Sequence, residues 1–259
     1  KSDAANDEVM QWLASTGSSK ITIDEDSSNA MSISVPTMTV GSLDIGHGAG
    51  GVTNTAVGTD ALDSSHASAT DNTAIGNNAL TGTHTAAAVK NTAVGSGAGA
   101  AITTGSKNTF VGNAAGDATD NGDFNTAVGE GALGADCVDN NTAVGRLALY
   151  NFTGSNATAV GVDAGKTLTS ATDCTMLGKS TAASAVDGAN QTVIGASATG
   201  QADNSVVLGN ASVTAIYAAQ DSGATIHCAG VTSSGGITIG SLDIGHGLGG
   251  DANSTAVGK

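Results

Sequence analysis

Residue types that do chemistry are few in this chain, so they are weighed first. Two stretches, "GHGAGG" at 46–51 and "GHGLGG" at 245–250, place Gly46, Gly48 and Gly51, and later Gly245, Gly247 and Gly250, at the spacing that lets a backbone approach a pyrophosphate. That fingerprint needs a following helix whose N-terminal N–H groups point at the phosphates, and here another Asn-Thr-Ala-Val-Gly-like segment follows instead. "GVDAGKT" at 161–167 looks like a phosphate loop but is one residue short between its glycines, and Gly161 already belongs to a repeat. His47 and His246 hold equivalent places in the two stretches; gathered about a three-fold axis they would offer imidazoles to a metal, whereas each alone is a turn histidine in solvent. Asp117, Asp120 and Asp123 would suit calcium, but their surroundings match neither the EF-hand loop nor the calcium-binding nonapeptide, so they read as solvated loop carboxylates. No nucleophile, base and orienting acid stand together among the many Ser and five His. The expectation is a protein that is not an enzyme and has no cofactor or metal site.

Charge and composition narrow the partners. A net charge of −15, from 8 Lys and Arg against 23 Asp and Glu, gives no footing for a phosphate backbone or an anionic bilayer, so no nucleic-acid partner is expected. No apolar run approaches the roughly 18 residues of a membrane span, and no basic, apolar leader opens the chain, so membrane insertion is not expected either. Beginning at Lys1, the sequence reads as processed or excerpted. Cys137, Cys174 and Cys228 are odd in number and far apart, which suits small buried hydrophobes better than a disulfide framework. With 2% aromatics and a single Pro among 259 residues, a core must be built from Ala, Val, Ile and Leu, side chains that pack best in regular layers.

The elements that would build such layers are visible as a repeat. Gly58, Gly76, Gly95, Gly112, Gly129, Gly145, Gly161, Gly178, Gly195 and Gly209 recur at intervals of 14 to 19 residues, too short for paired helices and right for one coil of a β-solenoid. These glycines are predicted coil corners, where a positive φ is needed. Asn54, Asn72, Asn91, Asn108, Asn125 and Asn141 stand where a turn enters each strand and suit the left-handed conformation. Before each glycine comes a branched aliphatic, from Val57 to Leu208, and two residues earlier Thr in nine coils, Thr55 to Thr192, then Val206. By the two-residue alternation of a strand, Thr and the aliphatic share one face. The other face carries Ala56, Ala74, Ala93, Phe110, Ala127, Ala143, Ala159, Met176, Val193 and Val207.

A strand apolar on both faces needs two covers. The "AL" segment after each corner, with Ala61, Ala79, Ala132 and Ala148, supplies one. A partner chain is inferred for the other, in a symmetric trimer or dimer with the small Ala face at its axis as the inter-chain surface and the Thr–Val face inside. On this reading Thr bonds within the coil, which disfavours an ice-binding face, and an Asp at Val128 splits the array. Inserts such as "DSSHASATD" and "TGTHTAAAVK" are expected to project as recognition loops. At roughly 4.8 Å per coil the array would be about 50 Å long.

A longer period frames the array. "VGSLDIGHGAGG" at 40–51 returns as "IGSLDIGHGLGG" at 239–250, so the chain reads as one unit of a longer fibre. The expected organisation is a leader or short helix around Trp12 over 1–20, a β junction at 21–40, the repeat array at 41–210, a second junction at 211–238 and the start of another array at 239–259.

The "NTAVG-x-x-AL" coils resemble the head repeats of trimeric autotransporter adhesins and the related repeats of phage tail fibres. The resemblance implies a left-handed parallel β-roll, assembled as a homotrimeric fibre, with loops for attachment and no catalytic residues. The expected function is a non-enzymatic fibre segment of a phage tail or virion appendage that meets a host cell-surface receptor or glycan. A bacterial extracellular adhesin or surface filament is the alternative, and an ice- or glycan-binding solenoid the third.

Overall fold

The computed structural model describes residues 53–63, 69–85 and 87–216, and the backbone of four short strands before them: β1 (Asp24–Glu25), β2 (Met31–Ser32), β3 (Met38–Val40) and β4 (Leu43–Gly46). The leader over 1–20, His47, His246, Cys228 and the expected second junction and array from 217 onward lie outside the described residues. The chain divides into two compact units, Lys1–Val213 and Thr214–Lys259.

Each repeat contributes one strand, from β5 (Thr55–Val57) through β6 (Thr73–Ile75), β7 (Thr92–Val94), β8 (Thr109–Val111), β9 (Thr126–Val128), β10 (Thr142–Val144), β11 (Thr158–Val160), β12 (Thr175–Leu177) and β13 (Gln191–Ile194) to β14 (Ser205–Leu208). These ten strands lie in chain order in one parallel sheet, giving an all-β solenoid of about nine turns with no helix among the described residues. Pairing is coil on coil: Thr55 lies opposite Thr73, Thr73 opposite Thr92 and Gln191 opposite Ser205, so turns vary from 19 residues to 14 without a slip of register. At the first coil the sheet is extended by antiparallel pairing, β4 with β5 and β3 with β4.

The glycine column does what its spacing predicts. Gly58 through Gly195 all have φ between 125° and 141°, and Gly209 has 87°. A Cβ on Gly95 would lie 2.3 Å from the carbonyl oxygen of Gly112 in the next coil, so the corners stack backbone on backbone and nothing larger fits.

No second strand follows the corner. The five residues from Gly58 to Leu62 form a turn with positive φ at Gly58, Asp60 (56°) and Leu62 (53°), and Leu80, Leu133 and Leu149 repeat this at 51°. Such turns stack because their N–H groups reach neighbouring coils: Asn78 N–H donates to the Thr59 carbonyl at 3.0 Å and Leu62 N–H to the Ala79 carbonyl at 3.1 Å. A bulky residue in the left-handed region is costly. It is held there because the conformation points Leu62, Leu80, Leu133 and Leu149 into the core, where each is fully buried.

Candidate functional site

The two faces of the sheet are the reverse of the sequence expectation. Ala74, Ala93, Phe110, Ala127, Ala143, Ala159 and Val193 have no exposed surface, Met176 1% and Ala56 5%, and Val207 packs partly buried against the same core. These residues, assigned above to a chain–chain contact, fill the inside of their own coil. Only a small side chain fits between a sheet and a turn layer this close. The Ala stripe does mark a close backbone approach, but the approaching backbone is the chain's own.

Exceptions to the Ala rule support this. Phe110 is accommodated because its coil has Gly116 where neighbours have Leu133 or Leu149, and because Gly99 stands at that place one coil earlier. A Cβ at Gly116 would lie 2.6 Å from the Phe110 ring, and one at Gly99 would lie 3.0 Å from it. Gly165 makes similar room beside Met176.

Behind the strand entry runs the Asn column, which is buried where the sequence predicts left-handed turn formers. Asn72, Asn91, Asn108, Asn125 and Asn141 are buried, and the left-handed residues are those just before them: Asp71, Lys90, Lys107, Phe124 and Asn140. Each buried amide joins two coils. Asn108 Oδ1 accepts the Asn125 N–H at 2.8 Å while Asn108 Nδ2 donates to the Gly122 carbonyl at 2.7 Å. The ladder starts at Asn54, whose Oδ1 accepts the Asn72 N–H, and ends where Asn141 accepts the Ala157 N–H at 3.0 Å. Beyond it Cys174 takes the place of Asn and donates Sγ–H to the Gly188 carbonyl at 3.1 Å. The signal for it in the sequence is an Asn column at a fixed coil position, with a glycine corner four residues on.

The outward face therefore belongs to Thr and the aliphatics. Thr55, Thr109 and Thr158 are exposed, the Thr residues between them half-buried, and the second rank includes Ile75, Val128, Val160, Leu177, Ile194 and Leu208, from 36% to 48% exposed. Every strand from β5 to β12 presents the same Thr-x-aliphatic pair in register with its neighbours. Its two ranks run the length of the solenoid and contain no charged side chain, although the chain carries 31. A contiguous, neutral, half-apolar surface of this length is the feature monomeric soluble proteins avoid.

The residues that resembled chemical sites have structural work. Gly161 is a corner, and Lys166 of the "GVDAGKT" segment pairs with Asp163 at 3.3 Å, as Arg146 does at 3.6 Å. Asp120 accepts the Thr103 hydroxyl, Asp123 Oδ1 accepts the Ser106 N–H at 2.7 Å, and partial burial raises the Asp117 carboxyl pKa. Among the described residues no three His, Cys, Asp or Glu gather as a metal site would need. Cys137 and Cys174 are free and buried, with their thiol pKa values pushed up by burial. The insert 81–90 does not simply project: His84 and Ala88 are buried in it, and burial holds the imidazole pKa down to about 4. No described helix is long and apolar enough to cross a membrane.

Fold and face together define a β-solenoid repeat protein with a flat, outward Thr–aliphatic sheet. Comparison with family models, curated proteins and solved structures finds no match to the chain.

Proposed function

We propose that this chain is a non-enzymatic structural segment of a fibre, whose copies associate along the outward Thr–aliphatic face as a homotrimer of left-handed β-rolls. The observation that carries the reading is that face: six of its ten aliphatic side chains are more than a third exposed and the other four half-buried, with no charge among them. Burying such a surface is favourable by about 25 cal/mol per Å² of apolar area. The "NTAVG-x-x-AL" motif gives the fibre its setting, a phage tail fibre or other virion appendage that reaches a host cell-surface receptor or glycan. In the bacterial alternative, an extracellular adhesin, the same roll would be tethered by a C-terminal membrane anchor in the full chain; a baseplate-binding N-terminus would favour the phage.

Native mass measurement tests the association directly. Three subunits, reduced to one by charges placed at Val128 and Val160, is the expected result; a single subunit at every accessible concentration removes the proposal.

One observation favours a second reading. The Thr rank faces solvent in register, one residue per coil at a spacing of about 4.8 Å, which is a geometry that can order water as ice does. Ice binding requires the free face of a single array and predicts thermal hysteresis, whereas association covers that face.

A further inference from the structure

The outward face repeats coil by coil, so two copies lying on it could slide past one another by whole coils at little cost in apolar contact. Something else must fix their register, and among the described residues the borders of the face carry charges that differ from coil to coil. On the entry border stand the left-handed residues that precede each buried Asn-type position: Asp71, Lys90, Lys107, Phe124, Asn140 and, further on, Asp173. On the exit border stand the residues just after each glycine corner: Ser96, Asn113, Glu130, Arg146, Val162 and Lys179. All of these side chains are exposed. Four of the chain's eight Lys and Arg residues lie on these two borders, two on each.

Two of these features come ready paired. On the entry border Lys107 sits with its Nζ 4.4 Å from the centre of the Phe124 ring, one coil on, and that ring is 52% exposed in a strained left-handed residue. On the exit border Glu130 and Arg146 likewise occupy consecutive coils. A ring of copies related by rotation sets the entry border of one against the exit border of the next, because such contacts are head-to-tail, and an offset repeated around a closed ring is a tilt of the strands against the ring axis, about 4.8 Å per coil over the roughly 20 Å between borders, not a slide of whole copies.

We propose that neighbouring copies of this chain dock in parallel with the entry border one coil behind the exit border it meets, so that Lys107 faces the partner's Glu130 and Phe124 faces the partner's Arg146. This rests on the self-association reading above and adds its register. The contact joins a cation to a carboxylate and a guanidinium to an aromatic face. Other registers are poorer. Copies drawn level gain only Asp173 against the partner's Lys179 and put Phe124 opposite a carboxylate. One coil further ahead gains Lys90 against the partner's Glu130 but cancels it by setting Lys107 against the partner's Arg146, and two further sets Lys90 against that Arg and Asp71 against the partner's Glu130. Offset the other way, one coil makes no charged pair, and two coils give only the single pair of Asp173 with the partner's Arg146. Three coils oppose Asp173 to the partner's Glu130.

Charge exchange tests the register in the full chain. Within one chain Lys107 and Glu130 lie on opposite borders, about 20 Å apart at roughly 3.3 Å per residue across the strand, so any rescue between them must act across copies. Lys107→Glu and Glu130→Lys, followed by sedimentation velocity at low salt, should each weaken association on the order of tenfold or more, since each opposes like charges. The double variant should return to the parent value. The parallel pair Asp173→Lys and Lys179→Asp should show neither loss nor rescue. Singles that associate normally, a double variant that does not recover, or rescue confined to the Asp173 and Lys179 pair would overturn the register. A parent chain that sediments as one subunit would instead remove the self-association beneath it.

Discussion

Phe110 and Gly116 exchange volume within one coil: the ring fills the interior place that Ala127 holds in the next coil, and the glycine vacates the place that Leu133 holds there. Gly116→Leu alone should therefore destabilise the array by about 3 kcal/mol or more, since overpacking a closed interior costs roughly 1–3 kcal/mol per intrusion and a leucine side chain has nowhere to go. Phe110→Ala alone should cost about 3–5 kcal/mol by leaving a cavity. Combined, the two restore the pattern of the neighbouring coil, and the loss should be well below the sum. Urea denaturation of both singles and the double gives the coupling; simple additivity would mean that the two side chains do not share one space.

Asn108 offers a second test, because it alone satisfies the Asn125 N–H and the Gly122 carbonyl. Asn108→Leu keeps the volume but orphans both, and each buried group left without a partner costs about 1–3 kcal/mol. Asn108→Asp should be nearly as harmful, because a carboxylate accepts the N–H but cannot donate to the carbonyl. A thermal midpoint within a degree of the parent for both variants would show that the ladder is decoration.

Val128 and Ala127 are neighbours with opposite exposures, 36% and none, and they discriminate the two assignments of the sheet faces. Val128→Asp was expected from sequence to split the array; on the outward face it should change the stability of the single chain by about 1 kcal/mol or less while weakening association. Ala127→Asp places an unpaired charge in a dry interior and should abolish folding of the central coils. Circular dichroism and native mass on both variants read the two effects separately. An unfolded Val128→Asp chain would restore the original assignment of faces.

The contrast shows where the sequence was legible. Period, strand positions and the Gly58-to-Gly209 corners were all readable, because each rests on a local requirement: two-residue alternation for the strands, a positive φ for the corners. Which face of a strand lies inside is not local. Thr-Ala-Val is apolar enough on both sides, and the choice is made by the gap between sheet and turn layer, which admits Ala but not Val in most coils. The substitution of Phe110 with Gly116, and of Met176 beside Gly165, was the one pattern in the sequence that recorded that gap. The role of the Asn column is non-local for the same reason, since its amides bond between coils at separations of 13 to 19 residues, beyond any local turn.

His84 gives the array an acid sensitivity whose sign follows from its burial. Its imidazole pKa is lowered from 6.5 to about 4 in the folded chain, so the unfolded chain takes up the proton first as pH falls. Stability should be unaffected above about pH 7, decline as pH drops from 6.5 towards 4, and level off for this group below that, at about 1.4 kcal/mol per unit of pKa displacement. Asp117 acts in the opposite direction, because its folded pKa is raised and protonation then favours the folded chain. Asp117 is common to the parent and to a His84 variant, so the difference in slope between the two belongs to His84. Chemical denaturation of the parent and of His84→Gln at pH 7, 6 and 5 isolates it: the variant should lose stability at every pH yet show a flatter dependence. An equal slope in the two chains would mean that the imidazole is protonated as readily in the folded insert as in water.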